Sequence, residues 1–163
     1  MNQLSPKSSM KTAAQALEHL LSKPQAVGEV ETVSTQEALG RVLAVDVIST
    51  VDVPPMDNTQ MDGYAVRTAD ITASGVVLPV SQRIPAGHVG SKLTPGTVAR
   101  IFTGASIPEG ADAVVMVEDT EAEKGKVKIF KSVYPKANVA KEGEDIKQGA
   151  LVLKEGTVLD AGK

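Results

Sequence analysis

The sequence predicts a mostly β protein, α+β overall, in which an elongated mixed segment accompanies a β-rich domain of short strands. Three observations predict it. From residue 51 onward, short apolar runs are divided by Pro-Ala-Gly, Thr-Pro-Gly, Pro-Glu-Gly and Lys-Gly-Lys turns. Helical periodicity is confined to the N-terminal part of the chain. The 163 residues, 42% apolar and 23% charged, have the composition of a folded chain long enough to bury its own core.

In chain order, Ala13, Ala14, Leu17, Leu20 and Leu21 recur at helical spacing and predict an amphipathic helix over 11–22, ending before Pro24. Ser34-Thr35-Gln36-Glu37 carries a capping-box pattern and predicts a further helical turn closed by Gly40. Residues 41–48, alternating and rich in Val, read as a strand. The remaining predicted strands are 63–67, 75–84, 97–102, 113–118, 127–133 and 151–153. Two domains are expected: residues 1–50 with 140–163 form an elongated discontinuous one, and 51–139 form the β-rich one. Residues 1–6 lack a basic stretch leading into an apolar run, and no window is long enough to span a membrane, so cytoplasm is the expected compartment. Ala161-Gly162-Lys163 follow a strand-like run without a cap, which gives the expectation of a chain that is cut there.

Composition excludes several classes of function. With two Phe, two Tyr and no Trp, the chain cannot build a platform of stacked rings for single-stranded nucleic acid. A formal charge of −3 gives no general attraction to nucleic acid or to an anionic membrane. Zero cysteines rule out disulfides, thiolate metal sites and a cysteine nucleophile, so any sulfur ligand must arrive with a cofactor. His19 and His88 have no second histidine at ligand spacing. Neither a Walker lysine nor a GxGxxG helix entry occurs, which removes both standard nucleotide cradles.

Three segments carry chemistry. In Asp57-Asn58-Thr59-Gln60-Met61-Asp62-Gly63, a polar exposed loop turns into a strand. Asp62-Gly63 fits a plain turn, and equally a carboxylate presented at a strand's mouth as a Mg²⁺ ligand or general base. Thr103-Gly104-Ala105 follows a strand; glycine permits close backbone approach and the threonine hydroxyl can serve an oxoanion or merely its own turn. Glu142-Gly143-Glu144-Asp145 reads as a solvated acidic turn or, if Asp145 and Asp62 converge, as half of a site for a hard divalent ion. Carboxylates alone repel a phosphate, so a metal or basic residues from elsewhere must reverse the sign.

Taken together, Met61-Asp62-Gly63-Tyr64-Ala65-Val66, Thr103-Gly104-Ala105 with Pro108-x-Gly110-Ala111-Asp112-Ala113-Val114-Val115, Gly143-Glu144-Asp145-Ile146 and the early Glu37-Ala38-Leu39-Gly40-Arg41-Val42-Leu43 resemble the N-terminal region of the molybdopterin molybdenumtransferase family, the MoeA and gephyrin E-domain proteins. The resemblance covers nearly the whole chain. It implies a molybdenum insertase that hydrolyses adenylylated molybdopterin with Mg²⁺ and inserts molybdate into the dithiolene. It also implies Asp62, Thr103 and Asp145 as catalytic residues, with Asp62 and Asp145 positioning metal or water and Thr103 contacting an oxoanion. Gly63, Gly104, Ala105 and Ser106 are the expected cofactor contacts. A homodimer and an upstream molybdopterin-adenylylating enzyme are the implied partners. The larger nucleotide-binding domain and the small β-barrel domain that follow in the family are not in this chain, so catalysis is expected of the complete protein. The family's arginine-rich stretch before Gly143 reads Asn138-Val139-Ala140-Lys141-Glu142 here. The alternative expectation, from another class, is a non-catalytic module for dimerisation or ligand presentation.

Overall fold

Thr12 starts the only α-helix among the described residues by a reciprocal cap. Its Oγ1 accepts from the Gln15 amide at 3.3 Å, and its own amide donates to Gln15 Oε1 at 3.0 Å. Helix α1, Ala13–Leu21, then runs to a cap at Ser22, inside the predicted span. The computed structural model describes residues 10–25 and 27–162; the opening segment 1–6 and Lys163 lie outside them. The chain forms two compact units, 1–40 and 41–163. In the first, α1 is accompanied among the described residues by a single 3₁₀ turn, Thr35–Glu37. Its apolar stripe stays exposed: Leu17, Leu20 and Leu21 retain 58, 66 and 70% of their accessible surface. The capping pattern at residues 34–37 resolves differently from the expectation. Ser34 Oγ donates to the Glu37 carboxylate at 2.8 Å instead of serving a backbone amide.

In the second unit, residues 41–53 run antiparallel to 146–159. Strand β1, Val47–Ile48, pairs with the C-terminal strand at Leu151 and Leu153, and bridges at Val42–Val158 and Val53–Ile146 extend the ribbon. The predicted strand over 41–48 is therefore much shorter. The register breaks between Val47 and Ile48, and Asp46 Oδ1 takes the Glu155 amide at 2.7 Å, which replaces a ladder bond by a side-chain one. Strand β2, Asn58–Thr59, lies in the segment predicted as an exposed loop.

The remaining strands are β3 (Gly63–Val66), β4 (Val76–Ile84), β5 (Val98–Ile101), β6 (Ala113–Met116), β7 (Thr120–Glu123), β8 (Lys126–Ile129), β9 (Val139–Ala140) and β10 (Leu151–Leu153), and the fold is mostly β. Six of them form one sheet in the order β6-β3-β5-β4-β8-β7, with only β4 and β5 parallel. The three strands β6, β3 and β5 are covered on both faces. Tyr64, Val66, Val98, Ala113 and Val115 enter one cluster with Leu78, Val127 and Ile129, while Ala65, Ala99, Ile101 and Val114 enter a second with Ile84 and Leu93. This explains their continuous apolar runs. By contrast β4 alternates, with Leu78 and Ile84 buried and Val77, Ser81 and Arg83 exposed. Strand β7 has no such pattern, and its Thr-Glu-Ala-Glu sequence pairs because Lys124 and Gly125, at φ 50° and 77°, close a tight hairpin onto β8. Among the described residues, no helix is long and apolar enough to cross a membrane.

Candidate functional site

The site grows from the two sides of β2. Thr59 donates its amide to the Ala105 carbonyl at 3.0 Å and accepts the Gly104 amide at 2.9 Å, so the 57–60 segment is stitched to the Thr103-Gly104-Ala105 turn. On its other side β2 pairs with β9, Asn58 with Ala140 and Thr59 with Val139. Gln60 adds a bond to the Asn138 carbonyl at 3.1 Å. Thr59 itself is 1% exposed, and its hydroxyl donates to the Met61 carbonyl at 2.6 Å, which fixes the turn leading into Asp62.

Asp62 and Thr103 meet directly. Asp62 Oδ1 accepts from the Thr103 amide at 2.8 Å and from its hydroxyl at 2.7 Å, while Oδ2 takes no hydrogen bond among the described residues. The amide bond and then the hydroxyl bond hold the Asp62 carboxyl below its ordinary value, with a smaller pull from the Arg100 guanidinium; partial desolvation opposes them. Both residues are exposed, so an ionised oxygen faces solvent beside a hydroxyl whose proton is already directed at it.

The strands beneath force this contact. Gly63 pairs with Ile101 on β5 and with Met116 on β6, and a Cβ at Gly63 would overlap the Val115 carbonyl oxygen. Only glycine allows β3 to come that close to β6. Gly104 serves differently: its φ of +81° makes the turn, and the space around it is open. Gly63 and Ala105 are buried in strand packing, whereas Gly104 is exposed. Ser106 directs its hydroxyl at Met56 Sδ, 2.8 Å away.

Asp145 stands apart from that pair. Its amide donates to the Val53 carbonyl at 3.0 Å, beside a bond from the Gly143 amide to Pro54, and its exposed carboxylate has no hydrogen bond or ion pair among the described residues. The two segments are nonetheless linked, because Asp57 Oδ1 accepts the Glu142 amide at 2.8 Å. Neither Asp57 nor Arg100 was assigned a role from the sequence. Arg100 Nη1 donates to the Gly63 carbonyl at 2.8 Å and to the Ile101 carbonyl at 2.9 Å, locking the roots of both site loops. Its signal in the sequence was only its place just before Thr103.

Among the described residues, no three His, Cys, Asp or Glu side chains gather in a form that could hold a metal ion. That donor set suits Mg²⁺ only in its usual enzymatic form, with one or two carboxylates and the rest of its shell from substrate phosphates and water. Asp62 Oδ2 and the Asp145 carboxylate are the oxygens available for it. A hollow of about 100 Å³ beside β6, lined in part by Asp119, Lys131, Tyr134 and Asn138, contains none of the predicted site residues.

Residues 9–163 match the family described as the MoeA N-terminal region (domain I and II). The chain is 40% identical over 152 residues to the molybdopterin molybdenumtransferase of Haemophilus influenzae, covering 92% of this chain and 37% of that protein. It is 39% identical over 163 residues to the protein of the same name from Nostoc, covering 97% and 37%. Among solved structures, the molybdopterin biosynthesis moeA protein of Pyrococcus horikoshii superposes with a TM-score of 0.85 at 38% identity, over 91% of this chain and 41% of that one. The chain thus spans little more than a third of the length of these relatives.

Proposed function

The chain belongs to the family of the MoeA N-terminal region, and from that premise we propose that it is the part of a molybdenum insertase that presents Asp62, Thr103 and Asp145 to the substrate. The substrates in this reading are adenylylated molybdopterin and molybdate, the names of the relatives being those of molybdopterin molybdenumtransferases. The observation that carries it is the pair of bonds, 2.8 and 2.7 Å, that aims an ionised Asp62 from one loop and Thr103 from another at the same surface. A carboxylate held ionised can orient a water for attack on a phosphoanhydride, which costs it no protonation step near neutral pH. Thr103, donating to Asp62, keeps hydroxyl lone pairs for that water and exchanges its donor bond to an oxoanion as charge develops.

Asp62 and Asp145 are the residues that would hold Mg²⁺, and the chemistry it would supply is neutralisation of phosphate charge. Every other contribution is this chain's own: Arg100 and Thr59 hold the Asp62 loop, Gly63 brings the strands together, and Asp57 ties in the 142–145 turn. Insertion is a property of the complete protein, in which this surface faces a nucleotide-binding domain across a homodimer. The exposed Leu17, Leu20 and Leu21 stripe of α1 supports assembly, since such a face gains by burial. It also favours the second reading, a module whose task is dimerisation or ligand presentation alone. Asp62→Ala in the full-length protein separates them: molybdate insertion is abolished if Asp62 orients the attacking water, and insertion at the unmutated rate overturns the catalytic reading.

A further inference from the structure

The sheet carries a ladder of rings and guanidinium groups of which the proposed chemistry uses only the Arg100 Nη1 bonds. The Arg100 guanidinium carbon sits 5.3 Å from the Tyr64 ring centroid and 4.4 Å from that of Phe102, and the Arg83 guanidinium carbon sits 4.3 Å from Phe102. Strand register builds it, for Arg100 is paired with Tyr64 on β3 and with Arg83 on β4. The ladder abuts the site, because Phe102 immediately precedes Thr103 and Arg100 binds the carbonyl of Gly63, the residue after Asp62.

Its electrostatics are incomplete. Two cations against one ring lie within a Debye length of each other, about 10 Å at 0.1 M salt, and repel. Cation–π attraction to the shared ring offsets part of this repulsion. Yet neither guanidinium has a carboxylate in ion-pair contact among the described residues, whereas Arg67 has Asp70 at 4.0 Å. Arg83 is exposed and spends none of its five donors on the described residues. Arg83 holds a planar fork of donors stacked on Phe102, which matches the geometry of an oxyanion, and Arg100, whose Nη1 is committed to the Gly63 and Ile101 carbonyls, adds positive charge beside the same ring.

We propose that Arg83, Phe102 and Arg100 form an oxyanion-binding ledge that takes a tetrahedral dianionic group, phosphate or molybdate, of the ligand handled at Asp62 and Thr103. The identity of that ligand rests on the function proposed above; the binding of the anion does not. The ledge supplies the positive charge that Asp62 and Asp145 lack, from residues outside the stretch before Gly143.

The test uses the 163-residue chain, observed through the Nε–Hε resonances of its arginines while inorganic phosphate is titrated against sodium chloride at equal ionic strength. Saturable shifts at Arg83 and Arg100, with Arg67 unmoved as the paired control, are expected. Arg83→Met, an exposed change that leaves the fold intact, weakens phosphate binding about tenfold, the worth of one charge-assisted contact. In a second arm, molybdate that displaces phosphate supports the ledge with the metal oxyanion as occupant, and molybdate that leaves bound phosphate in place supports it with the phosphoester. No saturable shift at Arg83 with either anion, or unchanged phosphate affinity in Arg83→Met, overturns it. Because the readout is binding without turnover, the ledge can fail while insertion still depends on Asp62, and it can stand if insertion does not.

Discussion

The Asp57 carboxylate accepts the Glu142 amide at 2.8 Å across eighty-five residues of sequence, and this bond ties the loop that leads to Asp62 to the turn that carries Asp145. A hydrogen bond to a charged acceptor contributes about 1.5–3 kcal/mol, at the lower end when exposed as here. Asp57→Ala is therefore expected to cost about 1.5 kcal/mol in urea unfolding and to loosen residues 141–145 in amide exchange while the central strands stay protected. Uniform loss of protection, or none, would show that the bond does not position the turn.

Asp62 titrates below 3.8, the ordinary aspartate value, because Thr103 gives its carboxylate two hydrogen bonds. A depressed folded-state value stabilises the protein above the unfolded value, and that contribution is lost as pH falls through the folded one. Thr103→Val removes the hydroxyl bond and keeps the amide one, so the Asp62 carboxyl should titrate closer to 3.8 in that variant, by carbon-13 NMR of the side-chain carboxyl. Identical titration in the two proteins would remove the hydroxyl as a cause.

Gly63 and Gly104 predict opposite kinds of damage. An alanine at Gly63 drives its Cβ into the backbone of Val115, which cannot rotate away, and overpacking of that sort costs about 3 kcal/mol or more. Gly104→Ala meets open space and costs only the left-handed backbone, about 1–2 kcal/mol. Thermal unfolding of both variants should show the larger loss at Gly63. Equal losses would mean that β3 and β6 can separate at that point.

Much of this was legible in the sequence where local chemistry decides. The buried runs of β3, β5 and β6, the Lys124-Gly125 turn and the helix ending before Pro24 follow from pattern and turn residues. What failed were elements decided by their pairing partners and not by their own residue pattern. Strand β2 looked like loop because Asn58 and Thr59 are polar, yet Thr59 is buried between the Thr103 turn and β9. Strand β7 forms because β8 is beside it, and residues 41–48 lose most of their expected strand to a register break. At the site, the motifs pointed to Asp62 and Thr103, but no spacing rule reveals that they bond to each other, or that Asp145 hangs from Val53.

Arg100 was the residue least visible in advance, and its removal tests how the site is held. Its Nη1 satisfies two carbonyls, Gly63 and Ile101, at the roots of the two loops. Arg100→Met keeps length and apolar contact but leaves those carbonyls without their donor, at about 1–3 kcal/mol for each one that finds no water. Arg100→Lys restores charge without the planar fork, so it should recover the electrostatic pull on Asp62 and only part of the lost stability. The expected order in chemical denaturation is wild type above Lys above Met. The amide of Thr103, anchored on Asp62, should lose exchange protection in the same order. A methionine variant with full stability and a fully protected Thr103 amide would mean that strand pairing alone aligns the two loops.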